Sequence, residues 1–190
     1  MGLGRRVWQG LSEPIRPGLR PITNQDMRKE TRKGRGVGAM TDFAALEDGV
    51  YAAPQLTAEE IKAARAMGVT TIVSNRVDGE EPGAPAAAQV QGWAEAEGLR
   101  FHHIPVVPGQ ITADNVKQMA RALDETGDDG KLLVFCKTGG RSAVLWALAR
   151  AAQGHQEPEA LVAAAGQAGF DIRPLTDMLR GAKAQGLDGL

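Results

Sequence analysis

The chain has 190 residues, of which 43% are hydrophobic and 24% charged, so we expect a globular protein with one substantial core. Its net charge of -1 gives no reason to expect nucleic acid as the main partner. The single cysteine excludes an internal disulfide and a cysteine-rich zinc site, and without a run of about 18 apolar residues no membrane span is expected.

Residues 1–40 differ in composition from the rest of the chain. They hold nine Lys and Arg residues against three Asp and Glu residues, a net charge of +6. Glycine and proline are scattered through them and apolar periodicity is poor, so we predict a mostly disordered basic extension. A basic arm for nucleic acid or anionic lipid is one alternative, and a chain that starts at Met27 or Met40 is another. We predict that the folded domain covers residues 41–190.

Strands and helices are predicted to alternate along this domain. A short first strand covers 49–53, and a capping box from Thr57 to Glu60 begins a helix that ends near Met67. The later predicted elements are a strand at 70–75, a helix at 85–97, a strand at 100–105, a helix capped by Thr112 and ending near 126, a strand at 131–135, and helices at 141–153, 157–168 and 173–185. This order predicts an α/β fold with a central, mostly parallel sheet of four to five strands and helices on both faces.

The strand at 131–135 leads into the most informative stretch of the chain. Leu132 to Phe135 is a short apolar run, which is typical of a buried central strand in a parallel sheet. The sequence Cys136-Lys-Thr-Gly-Gly-Arg-Ser142 follows, and apolar residues then recur at helical spacing. The Gly139-Gly140 pair allows a tight turn that residues with a Cβ resist. The only cysteine of the chain is therefore expected where a strand ends and a loop to a helix begins.

This loop is typical of an activated nucleophile with an oxyanion site. Converging loop amides and the positive end of the following helix form an anion cradle, which favours the thiolate of Cys136. Arg141 offers a planar fork of donors to a tetrahedral oxyanion, and Ser142 can donate to the sulfur as it leaves in a second step. The candidate oxyanion-binding residues are Lys137, Thr138, Gly139, Gly140 and Arg141. A structural cysteine beside a glycine-rich helix start is the alternative.

Two further loops are expected to meet the cysteine loop. Ligand sites of parallel sheets lie beyond the carboxyl ends of the strands, so the loops after the second and third predicted strands belong to the same edge. Asp78, in the first of these loops, can protonate a leaving group or activate water. For Glu80 and Glu81 we expect a solvated acidic loop, and Arg76 either adds positive charge to the site or pairs with these acids.

The remaining polar residues do not indicate a cofactor or a metal. His102 and His103 are neighbours in a predicted strand and point to opposite faces, so a structural role is expected for each. With His155 far away in the sequence, no metal-ligand set is expected. The N-terminus lacks the apolar stretch of a secretory signal, so we expect a reduced, cytoplasmic setting that suits a working thiolate.

Six short stretches between residues 42 and 153 together form a recognisable sequence pattern. They are Gln55 to Glu60, Gly68 to Val73, Asn75 to Glu80, Ile104 to Val106, Cys136 to Ser142 and Leu145 to Leu148. In this set the chain resembles the phosphatase-like domain of the beta-lactamase hydrolase-like protein family. The resemblance implies a fold similar to that of dual-specificity phosphatases. It implies that Cys136 is the nucleophile, that Arg141 binds the oxyanion and that the amides of residues 137–141 cradle it.

The chain also departs from ordinary tyrosine phosphatases. Those have five residues between the cysteine and the arginine and usually a histidine before the cysteine, whereas this chain has four residues and Phe135. Dual-specificity phosphatases carry an aspartate in the loop after the third strand, but here residues 107–111 contain no acid. Without an acid the leaving oxygen goes unprotonated, a loss of about 100-fold or more. Asp78 is the candidate that would replace it.

Three functions follow from these features. The first is a cysteine-dependent phosphatase-like hydrolase that acts on a phosphate monoester through a thiophosphate on Cys136. The second is a rhodanese-like sulfurtransferase that carries a persulfide on Cys136, because the four-residue spacing is also common in single-domain enzymes of that type. The third is a catalytically weak oxyanion-binding module. The expected partner is a small anionic substrate, a phosphorylated molecule or a persulfide donor, and the oligomeric state stays open.

Overall fold

Strands and helices alternate along residues 43–190, the part of the chain that the computed structural model describes. The strands are β1 (Ala44–Glu47), β2 (Val50–Ala53), β3 (Val69–Ser74), β4 (Arg100–His103) and β5 (Lys131–Phe135). The α-helices are α1 (Ala58–Ala66), α2 (Ala87–Ala96), α3 (Ala113–Thr126), α4 (Gly140–Gln153), α5 (Pro158–Gln167) and α6 (Thr176–Gly189), with a 3-10 turn at Arg173–Leu175. The predicted basic extension at residues 1–40 lies outside the described residues.

The strands of this region form a single sheet in the order β1-β2-β5-β3-β4. β2, β5, β3 and β4 run parallel to one another, and β1 pairs with β2 in the antiparallel direction. The mostly parallel sheet is therefore confirmed, with β5 at its centre. Cys136 directly follows β5, so it lies at the carboxyl end of the central strand.

Helices cover both faces of the sheet, as predicted. Successive side chains of a strand point to opposite faces, and β5 illustrates this, because Leu132 and Val134 join one buried cluster while Leu133 and Phe135 join the other. Helices α1 and α2 contribute to the cluster that contains Phe135, and α3 to α6 contribute to the cluster that contains Leu132. Within residues 43–190, no helix has both the length and the apolar character that crossing a bilayer requires.

Two helices of this fold begin with a capping box. In α1, the Thr57 hydroxyl accepts from the Glu60 amide at 3.3 Å, and the Glu60 carboxylate accepts from the Thr57 amide at 2.8 Å. In α3, the same reciprocal bonds join Thr112 and Asn115. Each box satisfies amides that a helix cannot bond internally, which fixes where the helix starts. The box predicted at Thr57 and the cap predicted at Thr112 are confirmed.

The edges of the fold differ from the predictions in two places. β1 was not predicted, because four residues without alternating polarity give a weak strand signal; it exists through its pairing with β2. The last predicted helix begins instead with the 3-10 turn, because Pro174 lies inside that turn and lacks an amide donor. Residues 186–189 continue α6 beyond the predicted end, with a kink at Gly186.

Candidate active site

The loop after β5 holds Cys136 in a fixed and buried position. Its side chain is part of the core, and the residue is 1% exposed. The amide of Gly139 donates to Cys136 Sγ at 3.2 Å. Gly139 has a φ of 93°, a left-handed conformation that residues with a Cβ rarely adopt. The glycine predicted to allow a tight turn is therefore the one that aims an amide at the sulfur.

The N-terminus of α4 adds to the positive potential around this sulfur. The helix starts at Gly140, and its first regular bond runs from the Ala143 amide to the Gly139 carbonyl at 3.0 Å. The amides of the preceding positions have no partner inside the helix, which is general for the first turn. Such an end attracts anions, so the loop and the helix start together provide the donors of an anion site.

Arg141 is held in place by acceptors from two loops, the one after β3 and the one after β4. Its Nη1 donates to the Val106 carbonyl at 2.7 Å, to Glu80 Oε2 at 2.9 Å and to the Asn75 carbonyl at 3.4 Å. Its Nη2 donates to Glu80 Oε1 at 2.7 Å. The Glu80 pair is thus bidentate, which fixes the plane of the guanidinium. None of these four bonds between described residues uses Nε.

The charges of Arg141 and Glu80 stabilise each other. Burial lowers the pKa of Arg141, but the Glu80 carboxylate and the nearby Cys136 sulfur raise the pKa by more, so it lies above its ordinary value. Partial burial raises the pKa of Glu80, but hydrogen bonds and charge from Arg141 and Arg76 outweigh this and bring the pKa below its ordinary value. Both groups are charged at neutral pH. The contribution of Cys136 also means that the guanidinium lies close to the sulfur.

A second layer of charged residues surrounds this pair. The guanidinium of Arg76 is buried and donates to Glu80 at 2.7 Å, to Glu81 at 3.3 Å and to Gln55 Oε1 at 2.7 Å. Lys137 Nζ donates to Glu81 Oε1 at 3.0 Å, and this hydrogen bond is the main reason why the pKa of Glu81 is lowered. Basic and acidic side chains therefore alternate across the loops at this edge of the sheet.

A cavity of about 320 Å³ opens at this edge. Its lining residues come from the three loops that the sequence places together: Val77, Glu80, Val107, Pro108, Lys137 and Arg141. Val107 is 46% exposed, so one wall is apolar and accessible. Lys137 and Arg141 supply positive charge, and Glu80, which pairs with Arg141, supplies negative charge. Such a cavity suits a small anion that is attached to an apolar group.

The other predicted site residues occupy different surroundings. Thr138 and Gly140 lie half-buried in the cysteine loop. Ser142 is fully buried, and its Oγ has no hydrogen-bond partner among the described residues. Asp78 lies exposed in the loop after β3, where its Oδ1 accepts from the Ala87 amide at the start of α2 at 2.8 Å. Its catalytic role stays a prediction.

Glu80 is the residue whose position the sequence reasoning missed. The expectation of a solvated acid is wrong for this residue, since its side chain is only 15% exposed and bonds both Arg141 and Arg76. For Glu81, which is 42% exposed, the expectation of a partly solvated side chain holds better. The pairing of Arg76 with the acids of its loop, one of the two alternatives given for that residue, is observed, whereas the bonds from Arg141 to Glu80 had no local signal in the sequence.

A metal ion has no evident ligand set in this part of the protein. Among residues 43–190, no group of three His, Cys, Asp or Glu side chains is arranged to hold one. His103 Nε2 lies 2.8 Å from the Arg76 carbonyl. His102 Nε2 lies 3.5 Å from Glu125 Oε2 and makes no hydrogen bond with a described residue. The site is built from one thiol, backbone amides and charged side chains.

Comparison with known proteins identifies the family. The family model of the beta-lactamase hydrolase-like protein, phosphatase-like domain, matches residues 42–153, more than half of the chain. The chain belongs to this family. The beta-lactamase hydrolase-like protein of Xylella fastidiosa (strain Temecula1) is 35% identical over 116 residues, which cover 61% of this chain and 26% of that protein. The match to this chain therefore spans about a quarter of the length of these curated relatives.

Solved structures confirm the fold of the phosphatase-like domain. A candidate phosphatase from Neisseria meningitidis has a TM-score of 0.64 at 30% identity, over 74% of this chain and 97% of that chain. Kinase-associated phosphatase, solved with a serine in place of its catalytic-site cysteine, has a TM-score of 0.57 at 16% identity, over 71% and 86% of the two chains. The second likeness concerns the fold alone. The family match supports a phosphatase-like hydrolase, the solved structures support the fold, and neither supports the sulfurtransferase alternative.

Proposed function

We propose that the protein is a cysteine-dependent phosphatase that hydrolyses a phosphate monoester through a phosphoryl group on Cys136. The observation that carries this proposal is the arrangement around the sulfur. The Gly139 amide lies 3.2 Å from Sγ, and the guanidinium of Arg141 is fixed on the same loop by Glu80. A nucleophile and preorganised donors for the oxygens of its target therefore occur together, as nucleophilic catalysis requires.

In the first step, the thiolate of Cys136 attacks phosphorus and the bond from phosphorus to the leaving oxygen breaks. The Nε–H edge of Arg141 and the amides of residues 137–141 bind the three other phosphoryl oxygens, which carry the developing charge. The electron pair of the broken bond stays on the leaving oxygen. Asp78 is our candidate for the acid that protonates this oxygen, since only its Oδ1 is engaged by the Ala87 amide.

In the second step, water attacks phosphorus, the S–P bond breaks and the sulfur leaves as a thiolate. Inorganic phosphate is the product. Ser142 stands one residue after Arg141 and brings a buried hydroxyl without a partner among the described residues. We assign it the donation of a hydrogen bond to the departing sulfur, which would make the thiolate a better leaving group.

The cavity indicates the kind of substrate. Arg141 and Lys137 attract an anion, and the accessible Val107 beside Pro108 offers apolar contact to the group that carries the phosphate. An aryl phosphate meets both requirements and is therefore the probe of choice.

The proposal is tested by phosphate release from phenyl phosphate together with intact mass spectrometry. We expect release by the wild type, trapping of one phosphoryl group on Cys136 after rapid acid quenching, and no release by Cys136→Ser. Asp78→Asn keeps the oxygen that bonds Ala87 but loses the proton, so we expect a fall in kcat of about 100-fold with unchanged thermal stability. Absence of phosphate release from the wild type, or a gain of one sulfur on Cys136 from thiosulfate, would contradict the proposal.

A further inference from the structure

Phe170 packs against Gly139 of the cysteine loop. It lies outside residues 42–153, which match the family. The matched residues end at 153, whereas Phe170 follows helix α5. A Cβ placed on Gly139 would lie 2.8 Å from Cζ and 2.9 Å from Cε1 of the Phe170 ring. The ring therefore packs directly against the backbone of Gly139, on the side where any other residue would carry its side chain.

The backbone conformation of Gly139 directs its amide toward the Cys136 sulfur. Its amide donates to Cys136 Sγ, and its carbonyl accepts the first bond of α4 from Ala143. A glycine is free to leave a left-handed conformation at little steric cost, because it has no side chain that would fix it. Two backbone hydrogen bonds therefore hold Gly139 in this conformation, and a contact from outside the loop adds to them.

The backbone that carries Phe170 is fixed by hydrogen bonds at the end of α5. The Phe170 amide donates to the Ala165 carbonyl at 2.8 Å, and the Gly169 amide donates to the Gly166 carbonyl at 3.1 Å. These two bonds, with Gly169 in the left-handed region, form a Schellman motif that closes α5. Ile172, two residues later, is buried in the core. The ring therefore packs against Gly139 from the hydrogen-bonded turn that ends α5.

We infer that Phe170 is a positioning residue, which holds Gly139 so that its amide stays directed at the Cys136 sulfur. The C-terminal residues 154–190 then contribute to the reactivity of the site as well as to the core. For the catalytic consequence, this inference rests on the proposed function; for the reactivity of the thiol, it stands on the packing alone.

The test uses the fact that Cys136 is the only cysteine of the chain, so alkylation of the full-length protein by iodoacetamide reports on this sulfur alone. The variants are Phe170→Ala and Phe170→Leu, which remove the ring completely or keep part of its volume. Phe101→Ala is the matched control, because Phe101 is a partly buried phenylalanine that packs on the opposite core. Each variant is measured for its melting temperature and for the pH profile of its alkylation rate.

We expect the profile of Phe170→Ala to move to higher pH. Its alkylation rate at pH 6, relative to its own plateau at high pH, falls about 3- to 10-fold, the effect of losing one hydrogen bond to the thiolate. Phe170→Leu lies between Phe170→Ala and the wild type and carries the test if Phe170→Ala does not fold. Phe101→Ala melts at a lower temperature but keeps the wild-type profile.

A Phe170→Ala protein that melts lower but keeps the wild-type alkylation profile would overturn the inference, because the ring would then only fill space. With phenyl phosphate we expect kcat to fall in Phe170→Ala while KM changes little, since Arg141 and the cradle still bind the oxygens. If the wild type releases no phosphate, the proposed function fails, and the alkylation profiles still decide the role of Phe170.

Discussion

The orientation of Arg141 depends more on Glu80 than on any other side chain. The two residues are 61 positions apart in the sequence, yet their carboxylate and guanidinium form a bidentate pair at 2.7 and 2.9 Å. Arg76 also donates to this carboxylate, from its Nε to Glu80 Oε1 at 2.7 Å. Because the pair occupies Nη1 and Nη2, it holds the Nε–H edge in one orientation without blocking it. In the proposed mechanism, Glu80 therefore acts on the substrate through Arg141.

We expect Glu80→Gln to reduce kcat/KM for phenyl phosphate about 10- to 100-fold, which corresponds to the loss of one strong charge-assisted bond of about 1.5–3 kcal/mol. The amide keeps the size of the side chain but can accept from only one of the two guanidinium nitrogens. Glu81→Gln is the matched control, since Glu81 is more exposed and bonds Lys137 and Arg76 instead of Arg141. Equal losses in the two variants would show that acidic charge in this loop matters in general and that the bidentate pair does not.

The same residue predicts how stability depends on pH. The pKa of Glu80 is lower in the folded protein than its ordinary value of 4.5, because Arg141 and Arg76 outweigh the effect of burial. Between these two pKa values the unfolded chain binds the extra proton, so Glu80 stabilises the fold above pH 4.5 and this contribution is lost as the pH falls. We expect the melting temperature of the wild type to drop more steeply from pH 5 to pH 3 than that of Glu80→Gln. Parallel curves for the two proteins would show that the ion pair adds no net stability.

At the scale of elements, local signals decided how much of the fold and the site was predictable. The apolar β5, the Gly139-Gly140 pair and the helical spacing of α4 adjoin in the sequence, so the cysteine loop between β5 and α4 can be located without a structure. The short β1 has no such pattern of its own. The Asp48-Gly49 turn that follows it, with Gly49 at a φ of 74°, is typical of a hairpin and is the local signal that indicates this strand. The role of Glu80 could not be predicted, because it depends on a partner that only the sheet order brings near.

A capping box can also be predicted from the local sequence, and the contribution of the box at α1 to stability can be measured. Thr57→Ala removes the hydroxyl that accepts from the Glu60 amide, so we expect a loss of about 1 kcal/mol in the free energy of unfolding. Thr57→Ser keeps the hydroxyl and should retain most of this stability. Urea denaturation of both variants gives the comparison, with phosphate release as the check that the site is intact. A Thr57→Ser protein as unstable as Thr57→Ala would mean that the methyl group, and not the cap, stabilises the helix.

At the scale of the whole molecule, helix α4 joins the site to the core. It carries Arg141 in its first turn, and its middle residues, from Leu145 to Ala149, are all buried. One side of α4 packs toward the sheet, and α5 and α6 pack against it from the C-terminal part of the chain. Leu161 and Leu179 fill the space between these helices with no more than 1% exposure. The family match ends at residue 153, but the core that supports the cysteine loop continues to α6.

This continuity predicts different outcomes for two truncated chains. A chain of residues 41–190 contains every described element, so we expect it to keep the melting temperature of the full chain and the phosphate release proposed for it. A chain of residues 41–153 exposes the face of α4 that covers Leu161 and Leu179. Since burial of each leucine contributes about 1.5–3 kcal/mol to a typical total of about 5–15 kcal/mol, we expect it to lose cooperative unfolding. Thermal denaturation followed by circular dichroism distinguishes the two chains. Cooperative unfolding of residues 41–153 at the temperature of the full chain would show that the matched domain is self-sufficient and that α5 and α6 are an addition to it.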